Sequence, residues 1–362
     1  MNEMTQAYTI LGSNLGRRAE LLRRAAFLLG GTPGVELTRA SHLYLTPPWG
    51  TQPDQPDYLN AAVEFRTRLE PEPLLDRMQE IERLLGRRPD GERWGPRLID
   101  LDLALFGQRT VQTPRLEVPH PRLAERAFAL MPLLEIAPDL TRPQTDSRAS
   151  GNAERWADCL EHLPESEREA CHRTEPFLWT VENWGTAFER MGETNDPENP
   201  SPEPPSYLFL SRSSDETEAL GKRLGASLRG GEVFALSGNL GAGKTCLARG
   251  LARGLGIHET VTSPSYVLVK SYEGRFALHH ADFYRLEATL GSGPADGNAP
   301  AEMADLASLG LEDYLDDPQA VLLIEWAEHR PCWLEPPFWQ VEIAGCGDGP
   351  RLLLLRQIGN RR

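Results

Sequence analysis

Lysine is nearly absent from this chain. Only Lys222, Lys244 and Lys270 occur in 362 residues, and every other cationic side chain is arginine or histidine. A lysine that falls inside a motif is therefore informative. No run of about 18 apolar residues exists, which excludes a membrane-spanning helix on the sequence pattern. Met1 to Ala7 lack the basic-then-apolar order of a secretory leader. Five cysteines are scattered without a Cys-x-x-Cys pair, which argues against a disulfide framework and a zinc site. Reduced thiols and a cytoplasmic location are the expectation. A broad basic stripe is also missing. The net charge of -15 divides into -2 over residues 1–140, -8 over 141–206 and -5 over 207–362, so extensive direct contact with nucleic acid is not expected.

The length and a 40% hydrophobic content suit two domains, each with its own core. In the first, residues 8–12 read as a strand and 17–29 as an amphipathic helix. A strand is predicted over 59–65, a helix over 74–85 and a strand over 98–106. That order suggests an α/β sandwich. The pattern weakens after Arg142. Five prolines among acids in 192–206 predict a stiff, extended linker, and 150–190 reads as partly helical. Beyond it, strands are predicted at 233–237, 265–270, 276–281 and 320–325, and helices at 214–228 and 244–255, with a Gly/Ala/Pro-rich loop at 288–301.

Gly238, Asn239, Leu240, Gly241, Ala242, Gly243, Lys244 and Thr245 spell G-x-x-x-x-G-K-T between an apolar strand and a helix carrying Leu247, Leu251 and Leu255 at helical spacing. Glycines let backbone N–H groups converge on phosphate oxygens, and the helix N-terminus adds positive charge. Lys244 should reach the β- and γ-phosphates and the Thr245 hydroxyl should ligate magnesium. The apolar run Ala320 to Ile324 ends at Glu325, a second ligand for that ion. Asp282, at another strand end, could orient or deprotonate water. No Asn-Lys-x-Asp occurs, which favours ATP over a guanine nucleotide.

These segments resemble the TsaE family, the ATPase of tRNA threonylcarbamoyladenosine biosynthesis. The likeness spans about 215–345. It includes the phosphate loop, Thr262-Ser263-Pro264-Ser265-Tyr266, the His-x-Asp-x-Tyr-Arg stretch at 280–285, Leu309 to Tyr314 and Glu325-Trp326. The resemblance implies an ATPase working with the TsaB and TsaD proteins, with one magnesium ion on Thr245 and Glu325, Asp282 as catalytic acid and Thr262 to Ser265 as a switch-like loop. A competing reading makes this half a nucleotide-dependent binding module with little ATPase of its own.

In the first half, Asp100 and Asp102 point to one face of a predicted strand, and leucines to the other. Two such carboxylates repel unless a cation joins them, and magnesium bound also by substrate phosphates meets that need. Arg93 and Arg97 lie close enough in sequence to clamp phosphates. Tyr58, Phe128 and Asn60 offer two rings and an amide to a planar heterocycle.

Residues 8–140 resemble 6-hydroxymethyl-7,8-dihydropterin pyrophosphokinase of folate synthesis. The carrying motifs are Leu11 to Gly16, Thr46-Pro47-Pro48-Trp49-Gly50, Pro56 to Asn60, the segment from Arg93 to Asp102, Val118-Pro119-His120-Pro121 and Arg126-Ala127-Phe128. The resemblance implies a ferredoxin-like α+β sandwich that moves pyrophosphate from ATP to the pterin. It places two magnesium ions on Asp100 and Asp102. Thr46, Pro47, Tyr58, Asn60, Trp94 and Phe128 fall in the pterin site, and Arg87, His120 and Arg126 near ATP. Arg93 and Trp94 belong to a closing loop. The expected organisation is thus a pterin pyrophosphokinase domain over 1–145, a connector over 146–206, and a P-loop NTPase domain with a mainly parallel sheet over 207–362.

Overall fold

The computed structural model describes residues 3–49, 55–87, 96–143, 154–185, 187, 205–264, 269–284, 314–315, 317–327, 334–347 and 349–359. The chain divides into two compact units, Met1–Leu178 and Trp179–Arg362.

The first unit is built on an antiparallel sheet of β1 (Thr5–Ser13), β2 (Val35–Ala40), β3 (His42–Thr46), β4 (Tyr58–Thr67), β5 (Asp100–Phe106) and β8 (His172–Pro176). The order is β5-β1-β4-β3-β8, with β2 also pairing β4. A small ribbon of β6 (Val111–Gln112) and β7 (Glu117–Val118) lies apart. Helices α1 (Arg18–Gly30) and α2 (Pro71–Leu84) contact each other and the sheet. Proline in the first turn starts α2, where its missing N–H costs nothing. Leu74, Met78 and Ile81 then recur on one buried stripe. Each such burial contributes about 1.5–3 kcal/mol. Glu82 shares that stripe and is drawn inside with it.

Against the opposite side chains of the sheet packs α3 (Ala127–Ile136), whose Leu130 and Leu133 meet Tyr8, Ile10 and Ala62. Helices α4 (Trp156–His162) and α5 (Glu165–Glu169) pack on α3, and β8 closes the sheet edge beside β3. Buried Arg23 of α1 fixes that last strand, bonding Glu175 at 2.6 Å and the Pro176 carbonyl at 3.0 Å.

The second unit has a seven-stranded mixed sheet. Its strands are β9 (Ser206–Ser211), β10 (Val233–Ser237), β11 (Val269–Tyr272), β12 (Ala277–Asp282), β13 (Ala320–Glu325), β14 (Phe338–Ala344) and β15 (Arg351–Ile358). They lie in the order β11-β12-β13-β10-β14-β15-β9. The four middle strands are parallel and the flanking pairs antiparallel. Helix α6 (Ser214–Ser227) starts at Ser213, whose hydroxyl accepts from Glu216 N at 3.1 Å. Helix α7 (Lys244–Gly254) follows β10.

Helices α6 and α7 touch backbone to backbone. A Cβ on Gly221 or Gly225 would lie 2.4 or 2.2 Å from a carbonyl oxygen of α7. One on Gly250 or Gly254 would lie 2.1 or 2.2 Å from a carbonyl oxygen of α6. Only glycine permits this approach, and it fixes the start of α7 against α6.

Candidate active sites

The first site forms where β1, β4 and β5 come together. Alternation along each strand puts Gly12, Tyr58, Asn60, Asp100 and Asp102 on one face, and the register sets Gly12 opposite both Asn60 and Asp100. A side chain at Gly12 would collide with Asn60, its Cβ 2.8 Å from Oδ1. The Asn60 amide donates to Thr46 Oγ1 at 2.7 Å, which leaves the rest of its edge to the cleft. Thr46, Pro47, Tyr58, Asn60 and Phe128 line one cleft of about 250 Å³. Arg97, Asp100 and Asp102 line it too, and they also line a second cleft that runs along α2 past Glu82 and Arg87. The carboxylate pair stands where the two clefts meet.

The two carboxylates are treated unequally. Asp100 receives Arg87 at 2.7 Å and Arg97 at 2.6 Å. Asp102 is approached by Arg126 at 3.6 Å and His120 at 3.9 Å, beyond hydrogen-bond reach. Among the described residues no side chain bonds its carboxylate. Burial, then repulsion from Asp100, pushes the Asp102 carboxyl up to about 7. Its side chain still keeps 37% of its surface open to the cleft. The charged form of Asp102 is therefore left uncompensated at the junction. No cluster of three or more His, Cys, Asp or Glu exists among the described residues. A magnesium ion held here would take these two carboxylates and complete its shell with substrate oxygens and water, as that ion commonly does.

Burial, then the Arg126 and Arg122 charges, push His120 down to about 4. The ring is neutral at physiological pH, and its Nδ1 accepts from Arg122 N at 3.3 Å. Nε2 is then the protonated nitrogen and faces Asp102. The Arg126 guanidinium lies over Trp49 and Phe128, 5.3 and 5.5 Å from the ring centres. Arg93 and Trp94 fall outside the described residues. Sequence reasoning missed Glu82, which accepts from Leu101 N at 2.8 Å and pairs with Arg87. It looks like an ordinary polar position of an amphipathic helix, and only the packing of α2 on β5 reveals it.

The second site lies at the carboxyl ends of parallel strands, the usual place for a ligand in such a sheet. Gly243 adopts φ 107°, closing the loop and starting α7. Leu240, Gly241, Ala242, Gly243, Lys244 and Thr245 line a cleft with Asp282 and Glu325. Gly238 and Asn239 contribute carbonyls that accept from Lys244 Nζ. That ammonium also sits 3.5 Å from the ring centre of Trp326. Trp326 itself has φ 61°, a costly conformation for a bulky residue, and its ring packs on Tyr284 at 4.7 Å. Thr245 Oγ1 donates to Glu325 at 3.1 Å. Asp282 lies opposite Glu325 in register and accepts from the Ser263 hydroxyl and from Tyr284 N at 2.9 Å. Ser265 and the 288–301 loop are outside the described residues. Thr245 and Glu325, eighty positions apart in sequence, were predicted to meet and do. His280 was not assigned a role from sequence, because its partner comes to it only through strand pairing, and Ser263 was read only as part of a switch-like loop.

The first unit has the attributes of a two-ligand transferase site: a cleft lined by aromatic rings and arginines, a second cleft of mixed charge along α2, and a carboxylate pair shared by both. Residues 8–138 match the family model 7,8-dihydro-6-hydroxymethylpterin-pyrophosphokinase. The chain is 48% identical over 137 residues to a 2-amino-4-hydroxy-6-hydroxymethyldihydropteridine pyrophosphokinase of Methylorubrum extorquens, covering 38% of this chain and 85% of the relative. It is 45% identical over 141 residues to the enzyme so named from Bacillus subtilis, covering 39% and 83%. Through its first unit, the chain belongs to the 7,8-dihydro-6-hydroxymethylpterin-pyrophosphokinase family. Residues 211–351 match a second family model, threonylcarbamoyl adenosine biosynthesis protein TsaE. Among solved structures, Bacillus subtilis YdiB is 30% identical, covering 44% of this chain and 91% of that one at a TM-score of 0.34.

Proposed function

We propose that the first unit transfers the β,γ-pyrophosphoryl group of ATP to the hydroxymethyl oxygen of 6-hydroxymethyl-7,8-dihydropterin. The new bond joins that oxygen to the β-phosphorus, the bond from β-phosphorus to the α,β-bridging oxygen breaks, AMP departs and the hydroxyl proton passes to solvent. The observation that carries this reading is the sharing of Asp100 and Asp102 between two clefts. Tyr58 and Phe128 take the pterin faces, and Asn60, held by Thr46 beside Pro47, reads its edge. Arg87, Arg97 and Arg126 hold phosphate oxygens, and neutral His120 donates a hydrogen bond without adding charge. Arg93 and Trp94 close over the site. Magnesium on Asp100 and Asp102, in our reading two ions, would neutralise the charge that grows on the phosphates. The test is AMP release from ATP that depends on the pterin alcohol. Pterin-independent AMP release, or none, would refute the assignment.

For the second unit we infer a P-loop ATPase that supports tRNA threonylcarbamoyladenosine modification beside the TsaB and TsaD proteins. The phosphate loop binds ATP, Thr245 and Glu325 hold one magnesium ion, and Asp282 orients the attacking water. A second reading, a nucleotide-dependent binding module with little ATPase of its own, is favoured by one observation. Lys244 is already engaged, on Trp326 and two loop carbonyls, and a bound triphosphate would have to draw it off them. ATPase measured with and without the partner proteins separates the two. We propose that 1–145 carries the first activity and 207–362 the second, with the chain in the cytoplasm; of the residues between, those described up to Leu178 pack in the first unit and those from Trp179 in the second.

A further inference from the structure

Glu325 is almost wholly buried, with 2% of its surface exposed, yet no arginine or lysine pairs with it among the described residues. A carboxylate taken out of water needs hydrogen bonds to each oxygen. One oxygen, Oε2, receives the Thr245 hydroxyl at 3.1 Å. The other, Oε1, lies 2.9 Å from Nε2 of His280. His280 is fully buried on β12, two residues before Asp282 and on the same side of the strand. The parallel register sets Asp282 against Glu325, so His280 reaches diagonally across to the strand end. Its Nδ1 is also buried and has no hydrogen-bond partner among the described residues. Among the described residues, Glu325 is thus the ring's only anchor, and the ring supplies the only side-chain nitrogen on Glu325.

We propose that His280 is a positioning residue for the nucleotide-bound metal. By holding Oε1, it fixes the carboxylate so that Oε2 and the Thr245 hydroxyl face the cleft together. The inference rests on the nucleotide-site reading of the second unit. Without the ring, the carboxylate loses its anchor, its side chain is free to turn, and the oxygen aimed at the cleft is no longer held there.

The geometry sets an unusual substitution series. A glutamine amide nitrogen can reach the place of Nε2, an asparagine amide ends near Nδ1 and falls short, and leucine fills space without a donor. The full chain carrying Asp102→Ala, so that the first unit adds no magnesium-dependent binding and this chain serves as parent, would be titrated with a fluorescent ATP analogue, once with magnesium and once with EDTA. We expect His280→Leu and His280→Asn to weaken magnesium-dependent binding on the order of 10-fold. Binding in EDTA should stay as in the parent, and His280→Gln should restore the magnesium-dependent part. Thermal unfolding of each variant checks the fold. Should the leucine variant fail to fold, the Gln and Asn pair decides alone. Equal magnesium dependence in Asn and Gln variants overturns the inference, as does an equal loss in EDTA. A parent chain that binds the analogue in neither condition overturns the nucleotide reading itself, which the variants then cannot rescue.

Discussion

The two sites handle buried negative charge in opposite ways. In the first unit, Asp102 is left without a hydrogen bond from any described side chain, and its carboxyl is pushed up to about 7. In the second, Glu325 and Asp282 are each held by the protein's own donors, from His280, Thr245, Ser263 and Tyr284 N. One site leaves a carboxylate without a donor, where a cation would favour its charged form. The other is already satisfied, and its lysine is parked. A site of the first kind is ready for chemistry once its ligands arrive. A site of the second kind must first give up contacts, which is where a partner can exert control.

The sharpest way to break the comparison is to remove that carboxylate. Asp102→Ala should lower pterin-dependent AMP formation on the order of 10³-fold, while nucleotide binding by the second unit is unchanged. Undiminished turnover would remove the metal role. Next in size is the framework of the second site. Gly225→Ala puts a methyl 2.2 Å from the Leu251 carbonyl oxygen. It should destabilise that unit by about 1–3 kcal/mol in denaturant unfolding, and pterin-dependent activity should survive. An unchanged midpoint would mean the helices separate freely.

A satisfied carboxylate within the first unit gives the internal control. Burial would raise the Glu135 carboxyl, but hydrogen bonds from His42 outweigh it and hold the carboxyl below its usual 4.5. Tyr44 adds another bond at 3.0 Å. A depressed folded value means stability that is present above about pH 4.5 and is lost as pH falls through the lower folded value. Glu135→Gln should therefore cost about 1 kcal/mol at neutral pH, and the gap to the parent should close in acid. A gap that is constant with pH would assign the effect to packing.

The smallest expected signal tests whether Lys244 leaves its parking place. Nucleotide binding should change the emission of Trp326 as the ammonium moves off its ring. Because the chain has 8 tryptophans, the change will be a minor part of the total. Trp326→Phe should abolish it, and an identical signal in that variant would locate the response elsewhere.

Much of this was readable from sequence where one face of an element is apolar and the other is not. Helices α1, α2, α6 and α7 and strands β1, β4, β5, β10, β12 and β13 all carry such contrast or a closed apolar run. Helix α3 was not anticipated. Its segment AFALMPLLEI is apolar almost throughout and contains Pro132, so no period of 3.6 stands out. Strand β9 also escaped, since its partner β15 lies far along the chain, as did β3, β14 and β15, although each of these pairs with a strand next to it in sequence. The candidate site residues could be picked out by spacing, but, apart from Thr245 with Glu325, their partners could not. Asp100, Asp102, Thr245 and Glu325 stand in recognisable spacings. Nothing local shows that Glu82 will fold under Leu101 or that His280 will find Glu325.

The opposed glycines of α6 and α7 have a further bearing on how the second unit can move. Two rods seated groove in groove have no slack at the crossing. The rod tip bearing Lys244 and Thr245 is therefore a fixed jaw. Across the cleft from it stand Tyr284 and Trp326, whose rings pack on each other at 4.7 Å.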